Sequence, residues 1–147
     1  METAGVLLNS SSSVYALQSA TAVIEAGAGV ALLGFPSDAA KLLPGAPLDT
    51  PDALTVARIG GMDLLTLGAA FWLARGDAQS RASKGLIAAM VLYIPGAALI
   101  LGAFGIGSRP VGAALWLAVV LHTAMTAWCI MSVRDLTRAE EPENSRQ

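Results

Sequence analysis

Four ionisable residues in this chain could do chemistry, and they stand where charge is expensive. Glu25, Arg58, Asp63 and His122 each interrupt an otherwise apolar run of residues. Gln18, Thr21, Thr66, Tyr93, Thr123 and Thr126 add uncharged hydrogen-bonding groups in the same runs. A carboxyl and an imidazole can exchange a proton with a bound molecule, a phenol can donate a hydrogen bond to it, and a guanidinium can anchor a carboxylate or carbonyl. On that chemistry Glu25, Asp63, His122 and Tyr93 are the candidate catalytic groups, and Arg58, Gln18 and Trp116 the candidate substrate contacts. One histidine makes no convincing transition-metal site, and no metal or other cofactor is expected.

These residues need elements to hold them, and composition says which. Of the 147 residues 54% are hydrophobic and only 14% charged, about half the charged share of a soluble domain. Mean hydropathy is +0.60. A chain with so little charge cannot cover itself in water, which excludes a water-soluble enzyme and a disordered chain. The net charge of −2 offers no basic field to a nucleic acid. Cys129 is the single cysteine, so no internal disulfide framework exists. An integral membrane protein remains.

A membrane-crossing helix needs roughly 20 predominantly apolar residues. Four stretches qualify, at about 14–35, 51–74, 86–104 and 110–133, and they predict an all-α, up-and-down four-helix bundle over residues 1–138. The first stops at Pro36. The second opens with Thr50-Pro51-Asp52, a hydroxyl cap, a proline in the first turn and an acid near the positive end of the helix dipole. The third carries Pro95-Gly96 in its middle. Long runs without period-two alternation favour helices over barrel strands. Ser37 to Leu43 could add a short interfacial helix capped by Ser37, and the polar residues 139–147 read as a disordered tail. Residues 1–13 lack the basic start of a signal peptide, so the first span is expected to stay in the mature protein.

Lys and Arg concentrate in the loop after the second span (Arg75, Arg81, Lys84) and after the fourth (Arg134, Arg138, Arg146), against Lys41 and Arg109 elsewhere. The excess predicts a multi-pass protein with both termini cytoplasmic. Counted at 1.5 Å per residue from the opposite side, Glu25 lies roughly 15 Å deep, Asp63, Tyr93 and His122 roughly 16 to 18 Å, and Arg58 about 10 Å. Four helices therefore set polar groups near one level at the midplane, where a charge costs about 2.5 to 3.5 kcal/mol on insertion scales. Gln18, Thr21, Glu25 and Gly29 share a face of the first span; Leu115, Val119, His122, Thr126 and Cys129 share one of the fourth.

Each group also has a plain structural explanation. Arg58 can snorkel to the headgroups, His122 and Asp63 can bond between helices, and Tyr93 can pack. Glu25 resists this most, because a carboxyl at that depth must be paired or carry its proton. Arg58 is its expected partner, leaving Asp63 to meet His122 or Tyr93.

Ala57-Arg58-Ile59-Gly60-Gly61 followed by Leu64-Leu65-Thr66-Leu67-Gly68, within four short spans, resembles the DoxX-like small membrane proteins. That resemblance implies a four-helix membrane architecture and a lipophilic redox partner, since some relatives are subunits of quinone-linked oxidoreductases; no residue set here marks quinone chemistry.

Two functional classes follow. The first is a midplane site that binds a small or lipophilic molecule entering from the bilayer and transforms it by acid/base chemistry such as isomerisation, cyclisation or epoxide opening. The second is non-catalytic, a proton-coupled solute carrier or an accessory subunit of a larger membrane complex or homo-oligomer. A carrier requires access to Glu25 from both sides, whereas an enzyme requires a one-sided or lateral pocket.

Overall fold

A computed structural model describes the backbone of residues 2–77, 80–107 and 110–144 and the side chains of residues 12–77, 80–107 and 110–134. Within them the chain forms α1 (Glu2–Gly34), α2 (Pro36–Leu42), α3 (Pro51–Ala74), α4 (Arg81–Gly107) and α5 (Leu115–Asn144), with no strand among the described residues. Four segments are long and apolar enough to cross a membrane: Ser12–Gly34, Pro51–Ala74, Arg81–Gly107 and Leu115–Arg134. The protein is an all-α, multi-pass membrane protein.

Helix boundaries follow local chemistry. Thr50 caps α3 by accepting a hydrogen bond from the Ala53 N–H at 3.2 Å, with Pro51 in the first turn. α4 starts earlier than hydropathy suggests, because the Ser80 hydroxyl accepts from the Ser83 N–H at 3.1 Å and pulls Arg81 and Lys84 into the first turn. α4 continues through Pro95, which removes one N–H from its ladder. α5 runs to Asn144, so residues 139–144 are helical rather than a disordered tail; Ala139, Glu140 and Glu141 are good helix formers extending an existing helix. Residues 145–147 lie outside the described residues.

α2 forms where a short interfacial helix is expected, but Phe35 occupies its N-cap position and Ser37 makes no capping bond; Pro36 presets its first turn. Seven residues do not hold a helix alone, and tertiary bonds hold this one. The Gly112 N–H donates to the Leu43 carbonyl and the Ala114 N–H to the Leu42 carbonyl, both at 2.9 Å. Two carbonyls at the C-terminal end of α2 are thus satisfied by the segment entering α5. This is why α5 begins at Leu115 and not at Pro110. Glycine is required on both sides: Gly45 has φ +87°, and a Cβ on Gly112 would collide with the Leu42 carbonyl.

α1 and α3 pack antiparallel over most of their length, and α4 and α5 pair likewise. α1 also contacts α5, while α3 touches α4 only sparsely. The bundle therefore runs α3, α1, α5, α4 around a ring whose α3–α4 side is loose. The α1–α3 contact is backbone on backbone. A Cβ on Gly29 would lie 2.7 Å from the Gly61 carbonyl oxygen and from the Leu65 nitrogen; one on Gly68 would lie 2.8 Å from the Ala26 nitrogen. Ala22 and Gly29, and Gly61 and Gly68, are each seven residues apart, so the seam repeats every two turns. Near the Arg75 end the interior is filled by Val14, Leu17, Phe71, Ile87 and Met90.

Because backbone cannot yield to a new methyl group, Gly29→Ala should destabilise the bundle by about 1 to 3 kcal/mol. Gly27→Ala, with open space over it, should be neutral. Thermal unfolding of the two variants in detergent, followed by size-exclusion recovery, separates them; equal midpoints would show that the seam opens freely.

Candidate functional site

On the α2 side of that filled interior the helices border a half-open cavity of about 910 Å³, within the range of small-molecule sites. Its walls are almost wholly apolar, drawn from α1, α4 and α5 with Leu64 from α3 and Ala39, Leu42 and Leu43 closing the α2 end. Four polar side chains line it: Glu25, Tyr93, His122 and, on α2, Asp38. Asp38 is exposed and bonded to Lys41 at 3.0 Å. From Glu25 to Phe35, both in the wall, α1 rises roughly 15 Å. The cavity is thus an apolar slot with three polar groups at its inner end.

The register of the bundle sets those three on one level. Gln18 Nε2 donates to Ser83 Oγ at 2.8 Å, which fixes the parallel alignment of α1 and α4 and brings Tyr93 opposite Glu25. Ser13 Oγ lies 3.1 Å from Ser132 Oγ and accepts from Trp128 Nε1 at 3.2 Å, which fixes the antiparallel alignment of α1 and α5 and brings His122 to the same height. Glu25 is 4% exposed, and its Oε2 accepts a hydrogen bond from the Tyr93 hydroxyl at 3.0 Å. His122 Nδ1 lies 2.7 Å from the Ala118 carbonyl. A carbonyl only accepts, so Nδ1 carries the proton, and in the neutral ring Nε2 is left as an acceptor. A void of about 10 Å³, the size of one water, sits between Thr21, Glu25 and His122.

The other expected site residues lie elsewhere. Asp63 is exposed on α3 and does not line the cavity. It is level with Glu25 but only two residues from Gly61, so it points about 200° away from the α1 seam. Arg58 is also exposed and forms no ion pair with Glu25. With Gly29 against Gly61 and Ala22 against Gly68, Glu25 stands opposite Leu65, and Arg58 is seven residues, roughly 10 Å, further along. Gln18 is fully buried, two turns from Glu25, and braces α1 to α4 without reaching the cavity. Trp116 is half-exposed and lines a separate pocket with Gly105, Pro110 and Val111.

The residues that sequence reasoning missed are those of the α2 wall. Phe35-Pro36 followed by Leu42-Leu43 was the available signal, a proline-started turn with apolar residues at its end. No family model, curated protein or solved structure matches this chain.

Removing the Tyr93 hydroxyl leaves a buried carboxyl without its donor, at a cost of about 1 to 3 kcal/mol. Tyr93→Phe should therefore lower stability, and Glu25→Leu in the same chain should recover part of the loss. A double-mutant cycle by chemical denaturation in micelles checks this, and strictly additive effects would show that the 3.0 Å contact carries no coupling.

Proposed function

We propose that this protein takes a lipophilic small molecule with one uncharged polar group into the slot between α1, α4 and α5, and that Glu25 and His122 move protons on that group. The observation that carries this reading is the one-sided apolar cavity ending on Glu25, Tyr93 and His122. The far half of the bundle is filled by Phe71, Met90 and Leu17, which argues against a carrier with access to Glu25 from both sides. With Arg58 outside the cavity, no guanidinium among the described residues lines it to anchor a carboxylate, which favours a neutral carbonyl, hydroxyl or epoxide.

Tyr93 holds Oε2 of Glu25 and so orients Oε1 toward the bound molecule. Glu25 and His122 then serve as a proton donor and acceptor pair: one delivers a proton to an oxygen or carbon of the ligand while the other accepts one from a neighbouring atom. The exchange is redox-neutral and needs no leaving group, and it fits isomerisation, cyclisation or epoxide opening. The loose α3–α4 side of the ring gives an apolar substrate a lateral route from the bilayer. Both termini face the cytoplasm in this reading, because Arg75, Arg81 and Lys84 share a side with Arg134.

The test is extraction of the purified protein with organic solvent and mass spectrometry of what it carries. Wild type should yield a lipophile that Ala28→Trp, which fills open space in the cavity wall, loses at least tenfold. Glu25→Gln and His122→Ala should retain the molecule in untransformed form and elute and unfold like wild type. Retention of the same molecule in the same form by all four proteins would exclude the site. In a separate measurement, reporters fused after Lys41 and after Lys84 should lie on opposite sides, the latter in the cytoplasm.

A further inference from the structure

α3 turns Gly61, Gly68 and Phe71 inward and leaves a second stripe facing out. Thr55, Ile59, Met62, Thr66, Ala69 and Leu73 are all exposed, at spacings of four, three, four, three and four residues. That is an unbroken a/d pattern of period 3.5, the spacing by which one helix packs against another in a left-handed supercoil. Both threonine hydroxyls are satisfied within α3, Thr55 by the Pro51 carbonyl at 2.8 Å and Thr66 by the Met62 carbonyl at 2.6 Å, so neither resists an apolar contact.

The stripe is flanked by the two charges that the cavity does not use. With Ile59 as a and Met62 as d, Arg58 falls at g and Asp63 at e, both exposed. They are five residues apart, about 140° round the helix, and form no ion pair with each other. In a parallel pair of helices, the g residue of one strand meets the e residue five positions on in the other. Two copies of α3 side by side in the same orientation would therefore set Arg58 of each against Asp63 of its neighbour, twice, about a two-fold axis along the membrane normal. Two copies of one chain inserted by one route share that orientation.

The geometry points to a homodimer of this chain, closed through the outer stripe of α3 and locked by reciprocal Arg58–Asp63 pairs. Asp63 stands at the middle of the 24-residue α3, where hydrocarbon offers a carboxylate no partner, and a second copy supplies the complementary charge at the required offset. The stripe lies about 120° round α3 from the face that meets α1, and Leu64, which α3 contributes to the cavity wall, faces away from it, so the dimer leaves the cavity untouched and stands or falls independently of the function proposed for it.

Oxidative cross-linking in native membranes tests it, with Cys129, which is buried, replaced by alanine. Met62→Cys and Ala69→Cys should cross-link strongly, and Gly60→Cys and Leu67→Cys, turned aside from the stripe, weakly. R58D should cut the Met62→Cys yield at least tenfold, and R58D combined with D63R should restore it to within twofold. Chains carrying R58D alone and D63R alone repel their own kind but complement each other, so differently tagged copies should co-purify when expressed together, even where either alone fails to accumulate. Equal cross-linking at all four positions, no rescue by the charge exchange, or a monomeric mass by light scattering in lipid nanodiscs would overturn the dimer and give this face to lipid, with Arg58 reaching the headgroups.

Discussion

α1 meets α3 with nothing between their backbones at Gly29, Gly61 and Gly68, and this contact fixes more than the separation of two helices. A seam made of glycine admits one rotational setting, since a roll of α1 would bring a larger side chain against the α3 backbone. Once the roll is set, the stripe of Gln18, Thr21 and Glu25, about a fifth of a turn away from the seam, faces the interior between α4 and α5. Drawing α1 toward α3 also holds it away from α4, and the gap is spanned by long side chains: Gln18 reaches Ser83, and Glu25 meets Tyr93. The cavity is the part of that gap left unfilled.

The polar groups divide by how hydrocarbon forces them to be satisfied. Thr21, Thr123 and Thr126 return their hydroxyls to carbonyls of their own helices, at 3.0, 2.8 and 2.8 Å, and so place no demand on a neighbour. Glu25 cannot do this, and it depends on a residue from another helix. His122 takes an intermediate course, with one ring nitrogen spent on its own helix and the other left over. Among the described residues that line the cavity, Glu25 and His122 are therefore the two whose hydrogen-bonding groups are not all returned to their own helices, and they stand at one level of the bundle.

Much of the fold was legible because its signals are local: apolar run length, the Thr50-Pro51 start, the Pro36 stop. The site was half legible for a definable reason. Helical rise is nearly invariant, so counting residues correctly set Glu25, Tyr93 and His122 at one depth and Asp63 beside them. Azimuth is another matter, for it depends on which small residues form the seam. Of the pairs Gly27 and Gly29, and Gly60 and Gly61, only Gly29 and Gly61 make the close approach, and Gly68 carried no signal until it was seen against Ala22 and Ala26. That choice turned Asp63 outward and carried Arg58 beyond reach of Glu25. α2 was hardest to read, since a seven-residue helix exists through its partners, and these come from a distant part of the chain.

The hydrogen bonds from Gly112 and Ala114 to the end of α2 impose an order on biogenesis. α1 and α3 can meet along their glycines before α4 and α5 are made, with α2 resting against both, but the two hydrogen bonds that close the end of α2 wait until the chain has passed Ala114. The end wall of the slot is therefore completed only by the segment that leads into α5.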